Sequence, residues 1–182
     1  MKNAIILHGT GDTPESFWIP WLKKELEKAG YKVWSPQLPD RDNPSLNKWL
    51  PFLLENGEFT EETVVIGHSA GATLILALLD KIDVKIKQAI LVSGYSFSTG
   101  KDGVNGVLRK VYDWDKISKS TQEKIIFINS DNDPWGCNDF QGRRMMDMAG
   151  GIQIIIKGEG HMGSMRFNQP YKKFPLLKKL II

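Results

Sequence analysis

The apolar residues of this chain fall into short continuous runs that are separated by longer stretches of mixed polarity. Runs of four or five apolar residues bounded by Gly, Pro or polar residues are typical of strands buried on both faces of a parallel sheet. Six largely apolar segments, two of them interrupted by Lys32 or Gln153, predict strands over residues 4–7, 31–35, 63–66, 88–92, 125–129 and 152–156. They alternate with helical patterns, so we expect an α/β fold with a parallel sheet covered by helices on both faces.

Between the strands, apolar residues recur at helical spacing and predict helices over residues 14–29, 43–54, 70–79, 140–149 and 171–182. Thr13 followed by Pro14 is typical of an N-cap and a first helical residue, which predicts where the first helix begins. Pro51 lies inside the second helix and should kink or break it. The segment 70–79 is apolar on almost every side, which predicts a helix buried against the sheet.

Residues 94–124 form the one long interruption of this alternation. The stretch begins rich in Ser and Gly and then carries a short apolar piece at 107–114. We find no internal repeat, linker or low-complexity segment, so residues 1–182 are predicted to form a single domain.

The composition excludes several classes of protein. The 24 Lys and Arg residues and 21 Asp and Glu residues leave a net charge of +3, too small to indicate a nucleic-acid partner. The single cysteine, Cys137, cannot form an internal disulfide, and the three histidines lack the spacing of zinc ligands. We therefore expect neither a metal nor another cofactor.

The chain carries no pattern typical of membrane targeting. The N-terminal run of four apolar residues is too short for the core of a signal peptide. The longest apolar stretch, residues 74–79, falls far short of the ~20 residues that span a bilayer. A cytoplasmic location without membrane insertion is therefore expected. The excess of five positive charges over residues 157–182 is interpreted as a solvated helix face rather than a membrane-binding patch.

Residues 67–71, Gly-His-Ser-Ala-Gly, match the pattern G-x-S-x-G between a predicted strand and a predicted buried helix. In a nucleophile elbow, this strand–turn–helix arrangement lifts a serine hydroxyl above the sheet edge, and small flanking residues let the backbone segments approach closely. The helix N-terminus also favours developing negative charge. An ordinary glycine-rich turn is the alternative, but the context favours Ser69 as a nucleophile.

Two further groups of polar residues follow the last two predicted strands. Asp131 and Asp133 come directly after the fifth strand, and His161 lies in a glycine-rich loop after the sixth. Either acid could orient a histidine ring, although an Asx/Pro turn explains either acid taken alone. Because the chain order Ser, Asp, His is that of the α/β-hydrolases, we predict a triad of Ser69, one of these acids and His161 as the base.

Other polar residues near these motifs receive secondary roles. His8 ends the first strand at a glycine-bearing loop that can aim backbone N–H groups at an oxyanion. We expect His8 and Trp135 to contribute to the substrate pocket; a simple tight turn at His8 and core or surface packing of Trp135 are the alternatives. The side chain of His68 should point away from Ser69 and serve packing or hydrogen bonding. Cys137 has no elbow context and is not predicted to be a nucleophile.

Further motifs are spread over most of the chain: Leu7-His8-Gly9-Thr10, Pro14-Glu15-Ser16, Trp21-Leu22, Pro36-Gln37-Leu38-Pro39, Asp113-Trp114-Asp115-Lys116-Ile117, Asn132-Asp133-Pro134 and Gly160-His161. Together with residues 67–71, they resemble the small serine hydrolases of the retinoblastoma-binding protein 9 type. That family has a compact α/β-hydrolase fold without a large lid. The resemblance therefore implies a three-layer fold with strand order 2-1-3-4-5-6 and a minimal cap.

The resemblance also implies roles for individual residues. The family pattern places the acid immediately before a proline, which implies Asp133 rather than Asp131. It further implies oxyanion donors from the backbone N–H groups of Ala70 and Thr10. Residues 135–139 depart from the family pattern, because many members have an apolar residue and a second proline there, and this departure affects the shape of the pocket.

We therefore predict a serine hydrolase that cleaves small carboxylic esters through an acyl-enzyme intermediate. With only residues 94–124 available as a cap, the acyl pocket should be small or open, which favours short esters over long lipids. Thioester or peptide hydrolysis would use the same triad. A non-catalytic protein-interaction module on the same fold is the alternative from another class, although no motif of the sequence supports a protein partner.

Overall fold

Six parallel strands form the centre of the fold in a computed structural model, which describes residues 1–100 and 105–182. They are β1 (Asn3–Leu7), β2 (Lys32–Trp34), β3 (Thr63–His68), β4 (Gln88–Val92), β5 (Ile126–Asn129) and β6 (Ile152–Ile155). Their order across the sheet is β2-β1-β3-β4-β5-β6, and every neighbouring pair is parallel. The predicted sheet and its strand order are confirmed.

Helices cover both faces of this sheet. They are α1 (Ile19–Lys28), α2 (Leu46–Asn56), α3 (Ala70–Leu79), α4 (Trp114–Lys119), α5 (Asp139–Ala149) and α6 (Pro175–Ile181). Helices α2 to α5 contribute to the apolar core on one face, and α1 and α6 contribute to the core on the other. The three-layer α/β arrangement is thus confirmed. None of the helices in the described ranges is long and apolar enough to cross a lipid bilayer.

Successive residues of β1 show how the strands supply both cores. Ile5 and Leu7 pack on the face that carries α3, whereas Ala4 and Ile6 pack on the face that carries α1 and α6. This alternation follows from the period of two residues in a strand. Because both faces are covered, β1 is buried at every position, which accounts for its unbroken apolar run.

The first helix begins later than the sequence predicts. Thr13 and Pro14 lie in a turn instead, in which the Thr13 N–H donates to Ser16 Oγ (3.0 Å). Phe17 then adopts a left-handed backbone conformation with φ of 52° and is buried, so the chain cannot continue as a helix through this point. Helix α1 therefore starts at Ile19, with Pro20 in its first turn.

Of the two expected effects of Pro51, a kink or a break in the second helix, the break does not occur. Helix α2 continues from Leu46 to Asn56 with Pro51 inside it. Pro51 and Asn47 are both exposed, so the Asn47 carbonyl that loses its intrahelical donor lies on the solvent side. Trp49 and Leu53, on the opposite side, are buried in the apolar core that α2 shares with α3.

The described part of the long interruption belongs to a core layer. It contains a short 3₁₀ turn, Asn105–Val107, and helix α4, which the sequence did not predict. The Asp113 side chain caps α4 by accepting a hydrogen bond from the Lys116 N–H (2.9 Å). An ion pair between Arg109 and Asp80 ties the segment to the end of α3. Residues 101–104 of the same stretch lie outside the described residues.

A single residue, Ser69, separates β3 from helix α3. This short connection brings the end of β1, the end of β3 and the start of α3 into contact. A Cβ atom on Gly71 would lie 2.5 Å from the His8 carbonyl oxygen and 2.6 Å from that of Leu7. A Cβ on Gly67 would lie 2.6 Å from the backbone nitrogen of Ala72. Real Cβ atoms do not approach backbone this closely, so both positions require glycine.

We predict that Gly71→Ala lowers the free energy of unfolding by about 3 kcal/mol or more, because the colliding groups are backbone carbonyls of a central strand. Gly30→Ala is the matched control, since Gly30 has a φ of 84° but no atom within 4 Å of the added Cβ. The control should lose only about 1 kcal/mol, from backbone strain. Urea denaturation measures both variants, and equal losses would contradict the crowding at Gly71.

Candidate active site

Ser69 occupies the turn between β3 and α3 in a strained conformation. Its φ is 54° and its ψ is −120°, a region that serine rarely adopts. The strain is maintained because the flanking strand and helix are both fully buried. The turn places Ser69 at the carboxyl edge of the sheet and next to the N-terminus of α3, whose dipole favours negative charge there.

Asp133 and His161 form a hydrogen-bonded pair at the same edge of the sheet. His161 Nδ1 lies 2.7 Å from Asp133 Oδ2, and both residues are buried. Since a carboxylate accepts, Nδ1 carries the hydrogen and Nε2 is the nitrogen with the free lone pair. The second carboxylate oxygen accepts from the Trp135 N–H (2.8 Å), which fixes the plane of the acid.

Asp131 has a different role. Its Oδ1 accepts a hydrogen bond from the Gly158 N–H (2.8 Å), and Asn132 Oδ1 accepts one from the Gly160 N–H (2.8 Å). These bonds join the loop after β5 to the loop after β6. Of the two candidate acids, the structure therefore brings Asp133 to the histidine and uses Asp131 to hold the histidine loop in place.

The environment of His161 favours the neutral imidazole. Burial lowers the pKa of His161 below its ordinary value of 6.5, because the charged ring would lose its hydration. The hydrogen bond to Asp133 acts in the opposite direction but is the smaller effect. His161 is therefore unprotonated at neutral pH, as a general base must be.

A cavity of about 380 Å³ opens above Ser69 and His161. Its volume lies in the range of small-molecule sites, roughly 300–1,000 Å³. Thr10 and Asp12 line it on the side of the loop after β1, and Trp135 lines it next to the acid. None of the described residues of the stretch 94–124 contributes to its wall.

His8 does not line this cavity, so its expected place in the substrate pocket is wrong. The ring is completely buried beneath the loop after β1. Its Nδ1–H donates to the Gly9 carbonyl (2.8 Å), and its Nε2 accepts from the Leu38 N–H (2.9 Å). Burial lowers the pKa of His8, which agrees with this neutral state. His8 therefore joins the loop after β1 to the segment after β2.

The loop after β1 lies against the serine turn, as an oxyanion loop must. A Cβ on Gly9 would lie 3.0 Å from Ser69 Cβ, so the two backbones are in contact. The Gly11 N–H donates to the Arg41 carbonyl (2.8 Å) and is therefore engaged. Thr10 lines the cavity, and Ala70 is the first residue of α3. The backbone N–H groups of Thr10 and Ala70 thus remain the predicted oxyanion donors.

The potential ligand atoms of Asp133, Cys137 and His161 all lie within 4.8 Å of one another. The His161 Nδ1–H is already donated to Asp133, so a cation would have to displace that hydrogen bond. Burial and the adjacent carboxylate raise the pKa of the Cys137 thiol well above its ordinary range. We interpret the cluster as an Asp–His pair beside a neutral thiol, which also argues against Cys137 as a nucleophile.

Sequence reasoning missed the residues after His161 that complete the cavity. Met165 and Arg166 line it, and the Arg166 guanidinium lies 5.2 Å from the centre of the Trp135 ring. Gln169 Oε1 accepts from the His161 N–H (2.9 Å). These residues belong to no motif and lie in an irregular segment, so only the folded loop reveals their position.

A sheet of this strand order, with a strained serine between its third strand and the next helix, defines the α/β-hydrolase class. Within that class, residues 4–181 match the family model described as Serine hydrolase, and the chain belongs to that family.

Known relatives agree with this assignment. Serine hydrolase RBBP9 of Rattus norvegicus is 31% identical over 131 residues, which cover 70% of this chain and 69% of that protein. YdeN of Bacillus subtilis (strain 168) is 28% identical over 135 residues, or 72% of this chain and 71% of that protein. The resemblance found in the sequence motifs is thereby confirmed.

Solved structures show the same fold. The crystal structure of the ydeN gene product from B. subtilis matches with a TM-score of 0.90 at 23% identity, over 100% of this chain and 97% of that chain. Est1E from Butyrivibrio proteoclasticus matches with a TM-score of 0.70 at 18% identity, over 99% of this chain and 85% of that chain.

We predict that Asp133→Asn lowers kcat for a chromogenic ester by about 10⁴-fold, because the amide disfavours the tautomer with a hydrogen on Nδ1. Asp131→Asn is the matched control, since an amide oxygen can still accept from the Gly158 N–H. The control should keep kcat within about threefold of the wild type. If Asp131→Asn has the larger effect, the two acids must exchange roles.

The pH dependence of kcat/KM provides a second test. A base acts only when unprotonated, so a lowered pKa extends activity to more acidic pH. The acid limb of kcat/KM should therefore have its midpoint below pH 6.5, the ordinary pKa of histidine. A midpoint above that value would contradict the dominance of burial at His161.

Proposed function

We propose that the protein hydrolyses small carboxylic esters through an acyl-enzyme intermediate. The observation that supports this most directly is the buried Asp133–His161 hydrogen bond at a cavity that Ser69 also lines. The strained backbone of Ser69 adds to it, because such strain in a buried turn is typical of a nucleophile elbow. Membership of the serine hydrolase family agrees with this chemistry.

In the proposed first step, Ser69 Oγ attacks the ester carbonyl carbon while His161 Nε2 takes the hydroxyl proton. The carbonyl oxygen becomes an oxyanion that accepts hydrogen bonds from the backbone N–H groups of Ala70 and Thr10. Asp133 stabilises the imidazolium that forms. When the tetrahedral intermediate collapses, the C–O bond to the alcohol breaks, and His161 gives its proton to the departing oxygen.

The second step repeats this chemistry with water. His161 takes a proton from a water molecule whose oxygen attacks the acyl carbon of the acyl-enzyme. Collapse of the second intermediate breaks the bond to Ser69 Oγ, which recovers its proton from His161. The products are a carboxylic acid and an alcohol, and the enzyme returns to its starting state.

The cavity supports short esters as substrates. Its volume of about 380 Å³ suits a small molecule, and Trp135 and Met165 supply an apolar wall beside the reacting centre. The two apolar cores share one sheet, so we also propose that residues 1–182 act as a single domain. Thioesters and peptide bonds would react through the same groups, and a comparison of acyl-chain lengths and leaving groups distinguishes among them.

We predict that a fluorophosphonate probe labels the wild type and that Ser69→Ala abolishes the label, because the probe reacts with an activated serine hydroxyl. Ser164→Ala is the matched control, since Ser164 lines the same cavity but has no elbow conformation. Mass spectrometry of the labelled peptide identifies the modified residue. An unlabelled wild type, or equal labelling of Ser69→Ala, would refute the proposed hydrolase.

A further inference from the structure

His68 has a position that the proposed reaction does not explain. It ends β3, directly before Ser69, and its side chain is 1% exposed. The His68 ring makes edge contacts with the rings of Phe17 and Trp18, at centroid distances of 5.8 and 5.9 Å. It also lies 4.9 Å from the His161 ring. A polar ring buried this deeply beside the proposed base requires a function or a hydrogen-bonding partner.

One nitrogen of His68 has such a partner. Nε2 lies 2.8 Å from the backbone carbonyl oxygen of His161. A carbonyl only accepts, so Nε2 carries the hydrogen and donates it. Among the described residues, Nδ1 has no hydrogen-bond partner. The nearby Asp12 Oδ2 is 3.8 Å away, too far for a hydrogen bond. His68 is therefore held to its surroundings by one donor.

A second donor reaches the same carbonyl. Ser93 Oγ donates to the His161 carbonyl oxygen (3.1 Å) from the residue that follows β4. Ser93 is completely buried and has a φ of 49°, a conformation that costs a non-glycine residue free energy. Its own N–H donates to the Ile128 carbonyl (2.8 Å), which holds the strained backbone in place.

The loop that carries His161 depends on such external contacts. It contains Gly158, Gly160 and Gly163, and glycine provides no side chain to fix a loop from within. The Asp133 carboxylate holds the imidazole ring through Nδ1, but it does not hold the backbone from which the ring projects. The backbone carbonyl of His161 is the group that His68 and Ser93 hold.

We infer that His68 and Ser93 form a carbonyl clamp, two donors on the backbone carbonyl of His161, which positions the base above Ser69. This inference rests on the proposed function of His161. His68 and Ser93 are positioning residues, because neither contacts the reacting atoms. The clamp links the ends of β3 and β4 to the loop after β6. It therefore fixes the position of the proposed base relative to the nucleophile turn, because both are attached to the same sheet.

Because His68 donates through Nε2, substitutions by two amide residues of different length test the clamp. In His68→Gln, the side-chain nitrogen can reach the position of Nε2 and donate to the carbonyl, whereas in His68→Asn the shorter side chain places its nitrogen near Nδ1. We expect kcat of His68→Asn to fall about 10- to 100-fold, since displacement of a catalytic group by about 1 Å has effects of this size. The KM should stay within about twofold, because substrate contacts are unchanged.

His68→Gln should recover kcat to within about threefold of the wild type, and Ser93→Ala, which removes the longer donor, should lower kcat by about threefold. Thermal unfolding of each variant checks that it is folded. Equal losses of kcat in the Gln and Asn variants of comparable stability, or a loss carried by KM, would overturn the clamp.

A readout that needs no substrate separates this inference from the proposed function. The downfield proton resonance of His161 Nδ1–H, bonded to Asp133, should be sharp in the wild type and in His68→Gln. It should be broadened or absent in His68→Asn. If the wild type cleaves no ester and takes no fluorophosphonate label, the proposed function fails. The resonances of the wild type and the two His68 variants still show whether the clamp holds His161 in place. An unchanged resonance in His68→Asn would refute it.

Discussion

The contact between the start of α3 and the ends of β1 and β3 is the constraint on which the rest of the structure depends. Only glycine at positions 67 and 71 lets these backbones approach, because a Cβ at either would lie 2.5–2.6 Å from backbone atoms. The close approach permits α3 to begin one residue after β3, and that single residue is Ser69. The strain at Ser69 is thus a consequence of packing, since the buried helix and strand leave the turn no relaxed alternative.

The charge of His161, the proposed base, depends on two opposing effects. Burial disfavours the charged imidazole, whereas the Asp133 carboxylate favours it, and burial is the larger effect on the pKa of His161. The resting ring is therefore neutral. In the proposed reaction, the same carboxylate offsets part of the cost of a buried cation once the ring has taken a proton. The Asp133–His161 pair thus suits both states of the proposed base, the neutral imidazole and the imidazolium.

Much of the fold was predictable because local and long-range signals agree. Helix α3 lies at 70–79 as predicted, since its continuous apolar sequence suits only a buried helix next to a tight glycine turn. The predicted start of α1 was wrong because Thr13 and Pro14 are as typical of a turn as of a helix N-cap. The turn forms because Phe17 packs against Gly163. A Cβ atom on Gly163 would lie 2.7 Å from the Phe17 ring. Such a contact between distant residues leaves no pattern in the sequence.

The candidate site was predictable to a similar extent. The placement of Ser69 and His161 at one edge of the sheet followed from their motifs and strand ends, whereas residue chemistry alone left Asp131 and Asp133 equivalent. Family resemblance favoured Asp133, and the structure gives the physical reason, since it pairs Asp133 with the ring and Asp131 with the Gly158 N–H. His8 was misplaced because a histidine beside a glycine loop suggests a pocket, while its burial depends on the segment after β2.

Backbone strain marks the region where these parts meet. In the described part of the chain, Phe17, Ser69, Ser93 and Met162 are four of the seven non-glycine residues with positive φ. They all adjoin His68 or His161, through ring contact, a hydrogen bond or the chain itself. Each strained residue costs about 1–3 kcal/mol, which the two buried cores must offset. Backbone strain that clusters in this way is typical of functional sites, where the surrounding structure maintains it.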